Sequence, residues 1–133
     1  MPNIKYKINA IPDTSLIIDL YQNAGLNRPT ADADRTEAMY NNSNLIISAW
    51  SEEKLVGIAR SVTDFHYCCY LSDLAVHPEF QKLGIGKSLI DKTKEKVSDN
   101  SMLLLLSAPN AMGYYPKLGF DSVENGFIIK RRV

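Results

Sequence analysis

The sequence is short of the features that mark several large protein classes. It has only two cysteines, and they are adjacent, Cys68-Cys69. Neighbouring side chains on a strand point to opposite faces, so the pair cannot chelate one metal, and no second Cys or His cluster completes a site. No metal centre is expected, and the cysteines read as small apolar strand residues in a reducing compartment. The two histidines, His66 and His77, are isolated. No segment approaches the ~18 uninterrupted apolar residues of a membrane span. The amino-terminal stretch MPNIKYKINA carries two lysines without a following apolar run, so no secretory signal is expected and a cytoplasmic location is the default. Nor is there a surplus of either charge. Fifteen basic residues balance fifteen acidic ones, which argues against a protein built to neutralise a nucleic-acid backbone. No repeat, low-complexity tract or linker divides the chain.

The 133 residues, 45% hydrophobic and 23% charged, suit one compact soluble domain over 1–133. A short strand is expected at Ile4–Asn9, then a helix from about Asp13 to Ala24, with Asp13 or Thr14 as its N-cap and Gly25 as its stop. A second, short helix is expected from about Ala33 to Tyr40. NLIISAW and KLVGIARSVTD read as an antiparallel hairpin around Ser51-Glu52-Glu53, and Tyr67–Val76 as a further strand. Ile85, Leu89, Ile90, Thr93 and Val97 then recur at helical spacing, and SMLLLLSA has the continuous apolar character of a strand covered on both faces. A last short helix around Asn110–Tyr115 and a final strand near Phe127–Arg131 complete a mixed α/β fold, in the order β-α-α-β-β-β-α-β-α-β.

The segment LAVHPEFQKLGIGKSLI, from Leu74 to Ile90, carries the chemistry. Glycines after a strand and before a helix let backbone N–H groups converge, and the helix start adds about half a positive charge, so this junction suits an anion. Gly86-Lys87-Ser88 looks like the end of a nucleoside-triphosphate loop, but that motif needs glycine where Gln81 stands. A dinucleotide fingerprint would need glycine in place of Leu89. Five lysines, Lys82, Lys87, Lys92, Lys94 and Lys96, give the segment a local positive potential that suits a phosphorylated small molecule or simply a solvated helix face.

With Gln81, Gly84 and Gly86 in a Q-x-x-G-x-G pattern after a strand ending Leu-x-Val, the segment resembles the acyl-CoA-binding signature of the GNAT superfamily of N-acetyltransferases. Downstream, YYPKLGF, from Tyr114 to Phe120, is similar to the family's carboxy-terminal element. The resemblance implies acetyl-CoA as co-substrate. Backbone amides of Lys82, Leu83, Gly84, Ile85, Gly86 and Lys87 would wrap its pyrophosphate, with Gln81 bracing the loop and the Ser88 hydroxyl in reach of the same phosphates. Leu74, Ala75 and Val76 would offer main-chain groups to the pantetheine arm, and one of their amides would polarise the thioester carbonyl as negative charge grows on it. Tyr115 occupies the family's general-acid tyrosine position, and Pro116 after it leaves Tyr114 as the alternative that faces the sulfur. A thiol near ~8.5 is a stronger acid than a phenol near ~10, so hydrogen bonding to sulfur is the expected contribution, full transfer being uphill by about 2 kcal/mol.

The implied reaction is acetyl transfer to an amine of a small molecule or a protein. The attacking amine must shed a proton, and Asp73, Asp64, His66 and Glu79 are the candidate bases. Asp73 is nearest the thioester strand, although strand alternation sets it on the face opposite Leu74. Trp50, Phe65, Tyr67 and Tyr70 are candidates for an acceptor pocket. Asp32, Asp34 and Glu37 would suit a polyamine or a solvated helix start equally. The alternative function is a non-catalytic acyl-CoA-binding or sensing module. A homodimer through the terminal strand is an open expectation.

Overall fold

A computed structural model describes residues 3–133; Met1 and Pro2 lie outside it. Five strands form one sheet in the order β1-β2-β3-β4-β5: β1 (Ile4–Ile8), β2 (Leu45–Ser51), β3 (Lys54–Thr63), β4 (Cys68–Val76) and β5 (Met102–Leu104). The first four run antiparallel, and β5 joins β4 in parallel. Helices α1 (Thr14–Ala24) and α2 (Ala33–Asn41) cover one face, and α3 (Ile85–Val97) covers the other. The expected mixed α/β fold is the observed one.

Local chemistry explains most element boundaries. Gly25, with φ of 73°, takes the left-handed conformation that ends α1, and its successor Leu26 donates back to the Tyr21 carbonyl at 3.0 Å. Asp32 starts α2 by accepting from the Arg35 N–H at 3.0 Å, so this acid caps a helix. The β2–β3 strands are 7 and 10 residues long and almost wholly buried, as apolar runs between two helical layers must be. Gly57 in β3 lets α3 settle close to the sheet. A Cβ there would lie 2.9 Å from Ile85 Cγ2 and 3.2 Å from Leu89 Cδ1.

Two irregularities shape the functional end. Opposite Arg60/Ser61, β4 carries one extra residue, Ser72, a β-bulge. Before it, Cys69 and Leu71 face α3; after it, Leu74 and Val76 face α3 while Asp73 and Ala75 turn to the α1/α2 side. The second irregularity is that β5 pairs with β4 only from Cys68 to Tyr70. Beyond that, the β5-side edge of Leu71–Val76 has no strand partner among the described residues.

The carboxy-terminal expectations are corrected. In place of a helix at Asn110–Tyr115 there are two 3-10 turns, Pro109–Ala111 and Tyr115–Leu118. Pro109 opens the first turn and Pro116 sits in the second, where its missing N–H cannot bond to the carbonyl of Met112, and Gly113 between them weakens any helix, so no α-helix spans the segment. The strand expected at Phe127–Arg131 is absent: these residues are exposed and unpaired, because a strand requires a neighbour and none of the five lies alongside. The run SMLLLLSA supplies only a three-residue strand, with Met102 55% and Leu106 61% exposed.

Candidate active site

Three elements converge at the carboxyl end of β4. The loop from Gln81 leads into α3 through two left-handed residues, Lys82 (φ 69°) and Gly84 (φ 77°), the latter being the helix N-cap. Lysine gains nothing from this conformation, so the loop shape is imposed on Lys82 by its surroundings. No side chain caps α3, which leaves the first-turn N–H groups of Ile85, Gly86 and Lys87 to be satisfied from outside the helix. Gln81 Nε2 donates to the Val76 carbonyl at 3.3 Å, tying the loop to the strand. Lys87 leans on Asp91 at 2.7 Å along the helix surface, and Ser88 is half-buried one turn in.

Gly86 marks the point of convergence. A Cβ on it would sit 2.7 Å from the Tyr114 hydroxyl and 3.9 Å from Val76 Cγ2, so the helix start, the strand end and Tyr114 share one small space. Tyr114 and Tyr115 stack edge-to-face with ring centres 5.2 Å apart, and Tyr115 packs in the same way on Phe120 at 5.6 Å. Burial raises both phenol pKa values. A further upward push on Tyr115 comes from Tyr114, and the nearby Lys87 charge partly opposes the rise on Tyr114. Both therefore stay protonated at neutral pH, and neither hydroxyl has a hydrogen-bond partner among the described residues. Tyr114 lies over the helix start and Tyr115 is the more enclosed of the two.

Asp73 sits behind this cleft, fully buried on the α1/α2 face. Its carboxylate accepts from Arg28 Nε (2.6 Å), Tyr21 Oη (2.7 Å), Arg60 Nε (2.9 Å) and Ser72 Oγ (3.1 Å). Tyr21 in turn shares a hydrogen bond with Tyr40. Arg28 Nη2 donates to the Ser72 carbonyl at 2.6 Å, and Arg60 Nη2 to its hydroxyl at 3.0 Å, so the bulge itself is held by two guanidinium groups. Burial alone would lift the Asp73 pKa, but the Arg60 hydrogen bond and charge, with Arg28 and Tyr21, outweigh it and hold the carboxyl below the usual range. A base needs a free lone pair and an accessible path, and Asp73 has neither.

The other candidate bases are spread out. Asp64 accepts three backbone N–H groups, from His66, Tyr67 and Cys68, which bring its pKa down to about 2. It and the exposed His66 lie at the start of β4, roughly 20 Å along the strand from Leu74. Glu79 is exposed on the rim, 3.8 Å from Lys54. The aromatic residues do not form one pocket. Trp50 is in the core under α1, Phe65 packs on the α3 side, and Tyr67 and Tyr70 face outwards. Among the described residues no group of three or more His, Cys, Asp and Glu could hold a metal ion.

The buried network of Arg28, Arg60, Tyr21 and Tyr40 around Asp73 escaped the sequence reading. Its one legible sign is a charged residue, Arg60, directly after the apolar run LVGIA inside the strand. The network carries a prediction. Removing one partner of a buried, hydrogen-bonded charge typically costs about 3–5 kcal/mol. Asp73→Asn should lower stability by an amount in that range in urea or thermal unfolding. Because the native Asp73 pKa is depressed, its stabilisation is present above the ordinary aspartate value near 3.9 and is lost as pH falls through the native value. The wild-type protein should therefore weaken steeply below about pH 4 and the Asn variant much less. Parallel acid limbs for the two proteins would contradict this role.

A five-stranded mixed sheet opening beside an uncapped, glycine-bounded helix start defines the class to which the chain belongs. The family model described as acetyltransferase (GNAT) domain matches residues 21–130, and the chain belongs to that family. It is 35% identical over 91 residues to an uncharacterized N-acetyltransferase, ycf52, of Pyropia yezoensis, an alignment covering 64% of this chain and 52% of that protein. With GCN5-related N-acetyltransferase 2, chloroplastic, of Arabidopsis thaliana it shares 31% over 77 residues, covering 56% of this chain and 30% of the relative. The chain thus spans about half, or less, of the length of these curated relatives. Among solved structures, a GNAT family acetyltransferase of Streptococcus pneumoniae TIGR4 superposes with a TM-score of 0.79 at 25% identity over 100% of both chains. A Staphylococcus aureus protein of unknown function gives 0.83 at 21%, covering 97% of this chain and 100% of that one. The fold is also that of AAC(6')-Iy, solved with a CoA-containing bisubstrate analog, with a TM-score of 0.69 at 15% identity, covering 98% of this chain and 99% of that one. No helix of the described residues is long and apolar enough to cross a membrane.

Proposed function

We propose that the chain transfers an acetyl group directly from acetyl-CoA to a primary amine of a small molecule or a protein. The observation that supports this best is the convergence at Gly86 of three features: uncapped helix N–H groups, the unpaired edge of Leu74–Val76, and the unpartnered hydroxyl of Tyr114, with Tyr115 stacked on it. Acetyl-CoA supplies the activated ester, and the residues present fit it. The N–H groups from Lys82 to Lys87 offer a nest for the diphosphate, and the absent Cβ of Gly86 leaves room for the Tyr114 hydroxyl beside it. Backbone groups of Leu74, Ala75 and Val76, on the edge that β5 leaves free, bind an extended arm as an added strand would be bound. One of those amides stabilises the charge that develops on the carbonyl oxygen.

The amine nitrogen attacks the carbonyl carbon, the carbon–sulfur bond breaks, and the amine's proton leaves to water in the open cleft. Among the described residues none of the candidate bases Asp73, Asp64, His66 and Glu79 is placed to face Leu74, so Asp73 is a positioning residue that fixes the bulge and, through it, the facing of Leu74 and Val76. Tyr115, kept protonated by burial, donates a hydrogen bond to the departing sulfur. The exposed thiol of Cys68 suits a reducing compartment such as the cytoplasm.

The test is thiol release from acetyl-CoA over a panel of amines, peptides and aminoglycosides. With water as the proton acceptor, kcat/KM for the best acceptor should rise about tenfold per pH unit toward the amine's own pKa near ~10.4. A plateau setting in near pH 6.5 would reveal a histidine base and overturn the water route; no release with any amine, despite measurable acetyl-CoA binding, would overturn the transfer itself.

A further inference from the structure

Two cations and one anion meet behind the bulge of β4, and their charges do not cancel. Arg28 and Arg60 both pair with Asp73, at 2.6 and 2.9 Å, and among the described residues neither guanidinium pairs with a second carboxylate. Burial, above all, raises the pKa of Tyr21 and Tyr40, so these phenols add no negative charge. The acids of α2 are engaged with helices: Asp32 caps α2, Asp34 lies in its first turn, and Glu37 accepts from Thr14 Oγ1 at 3.4 Å. One positive charge is therefore uncompensated in a buried setting, where a charge without a partner is costly.

Arg28 gives that charge an outlet. Its side chain is 27% exposed, against 10% for Arg60. Of its five N–H groups, one on Nε goes to Asp73, one on Nη1 to the Asn27 carbonyl at 2.7 Å and one on Nη2 to the Ser72 carbonyl at 2.6 Å. One N–H on each terminal nitrogen is left without a partner among the described residues. A partly exposed guanidinium with two such donors suits a carboxylate, whose two oxygens accept charge-assisted hydrogen bonds.

The place of Arg28 along β4 sets what else the ligand carries. Arg28 holds the strand at Ser72, two residues and roughly 7 Å from Leu74, where the proposed reaction puts the thioester. An attack distance of ~3 Å, the ~2.5 Å between the amine nitrogen and carboxylate carbon of an α-amino acid, and a ~2.8 Å hydrogen bond to a guanidinium together cover that gap. In the other direction along the strand, Tyr70 and Val62 pair across β3 and β4 and are 38% and 48% exposed. Because Leu71 faces α3, its neighbour Tyr70 lies on the face that carries Arg28, so an apolar shelf adjoins the cation.

We propose that Arg28 determines acceptor specificity by binding the carboxylate of a free α-amino acid, whose amine then lies against the thioester and whose apolar side chain rests on Tyr70 and Val62; this specificity presupposes the acetyl transfer proposed above. The amine nitrogen bonds to the acetyl carbon as the carbon–sulfur bond breaks. The products are an N-acetyl amino acid and the coenzyme thiol, with the amine's proton passing to water.

Thiol release is measured with leucine and phenylalanine, with their amides, and with the matching amines that lack the carboxylate, kcat/KM being expressed per neutral amine. The acids should exceed both carboxylate-free partners at least tenfold, chiefly through KM, and Arg28→Gln should bring that ratio close to one. Acid and amide share every other step, so the ratio cancels any general loss of activity from a loosened bulge. Arg28→Lys keeps a cation for Asp73 but loses the second donor nitrogen, and it should lower the ratio as well, which covers a glutamine variant that does not fold. Amides or plain amines acetylated by the wild type as well as the acids overturn the proposal and leave acetyl transfer standing, as does an acid preference that survives substitution of Arg28. Acetyl-CoA binding without thiol release from any amine overturns the transfer and this specificity with it.

Discussion

Gly86→Glu should abolish acetyl-CoA binding, weakening it by at least about 10²-fold, or about 2.7 kcal/mol, in a calorimetric titration. The first cause is space. Even a methyl group at residue 86 meets the Tyr114 hydroxyl at 2.7 Å, so any side chain displaces the tyrosine and fills the approach to the helix start. The second is charge, because a carboxylate in the first turn of α3 occupies the N–H groups that an incoming phosphate needs and repels its oxygens. The same carboxylate interacts favourably with the helix dipole, so the melting temperature should hold. Gly86→Ala, which has the crowding without the charge, should fall in between. Retained wild-type affinity in the glutamate variant would remove the diphosphate from this helix start.

Tyr115→Phe should slow thiol release by a factor on the order of 10² while acetyl-CoA affinity barely moves, the signature of an interaction made only as the carbon–sulfur bond breaks. Tyr114→Phe should show the reverse pattern, a change in affinity with little change in turnover, since its hydroxyl lies against Gly86 at the helix start. Both phenols have pKa values raised by burial, so the wild-type rate should show no alkaline decline from tyrosine ionisation until above pH 10. If Tyr114→Phe carries the rate loss and Tyr115→Phe does not, the two roles are exchanged.

Much of the fold was legible because it is written in short-range patterns. The 3.6-residue spacing from Ile85 to Val97 gives α3, Gly25 gives the end of α1, and the paired apolar runs give the β2–β3 hairpin. The glycine loop was legible for the same reason, since Gln81 through Ser88 are contiguous. What was hidden depends on pairing at long range. Arg28 meets Asp73 across 45 positions, and no local pattern announces it. The bulge at Ser72 leaves composition and alternation of burial untouched and shows only in the register between Arg60 and Asp73. Phe127–Arg131 has the sequence of a strand, but a strand is a relation between two segments, and none of the five strands lies alongside it.

The extra residue in β4 works as a parity switch. By shifting odd and even positions once, it lets a single strand lend oily side chains to the α3 layer at both ends while sending Asp73 to a cationic vault on the far side. The facing of this strand is therefore set by the kink and not by sequence alternation alone. Straightening it with Ser72 retained would keep every side chain yet invert the last four, sending a carboxylate into the α3 layer and leucine between two arginines, whereas deleting Ser72 would leave their facing unchanged and remove only the residue whose carbonyl and hydroxyl the two arginines hold.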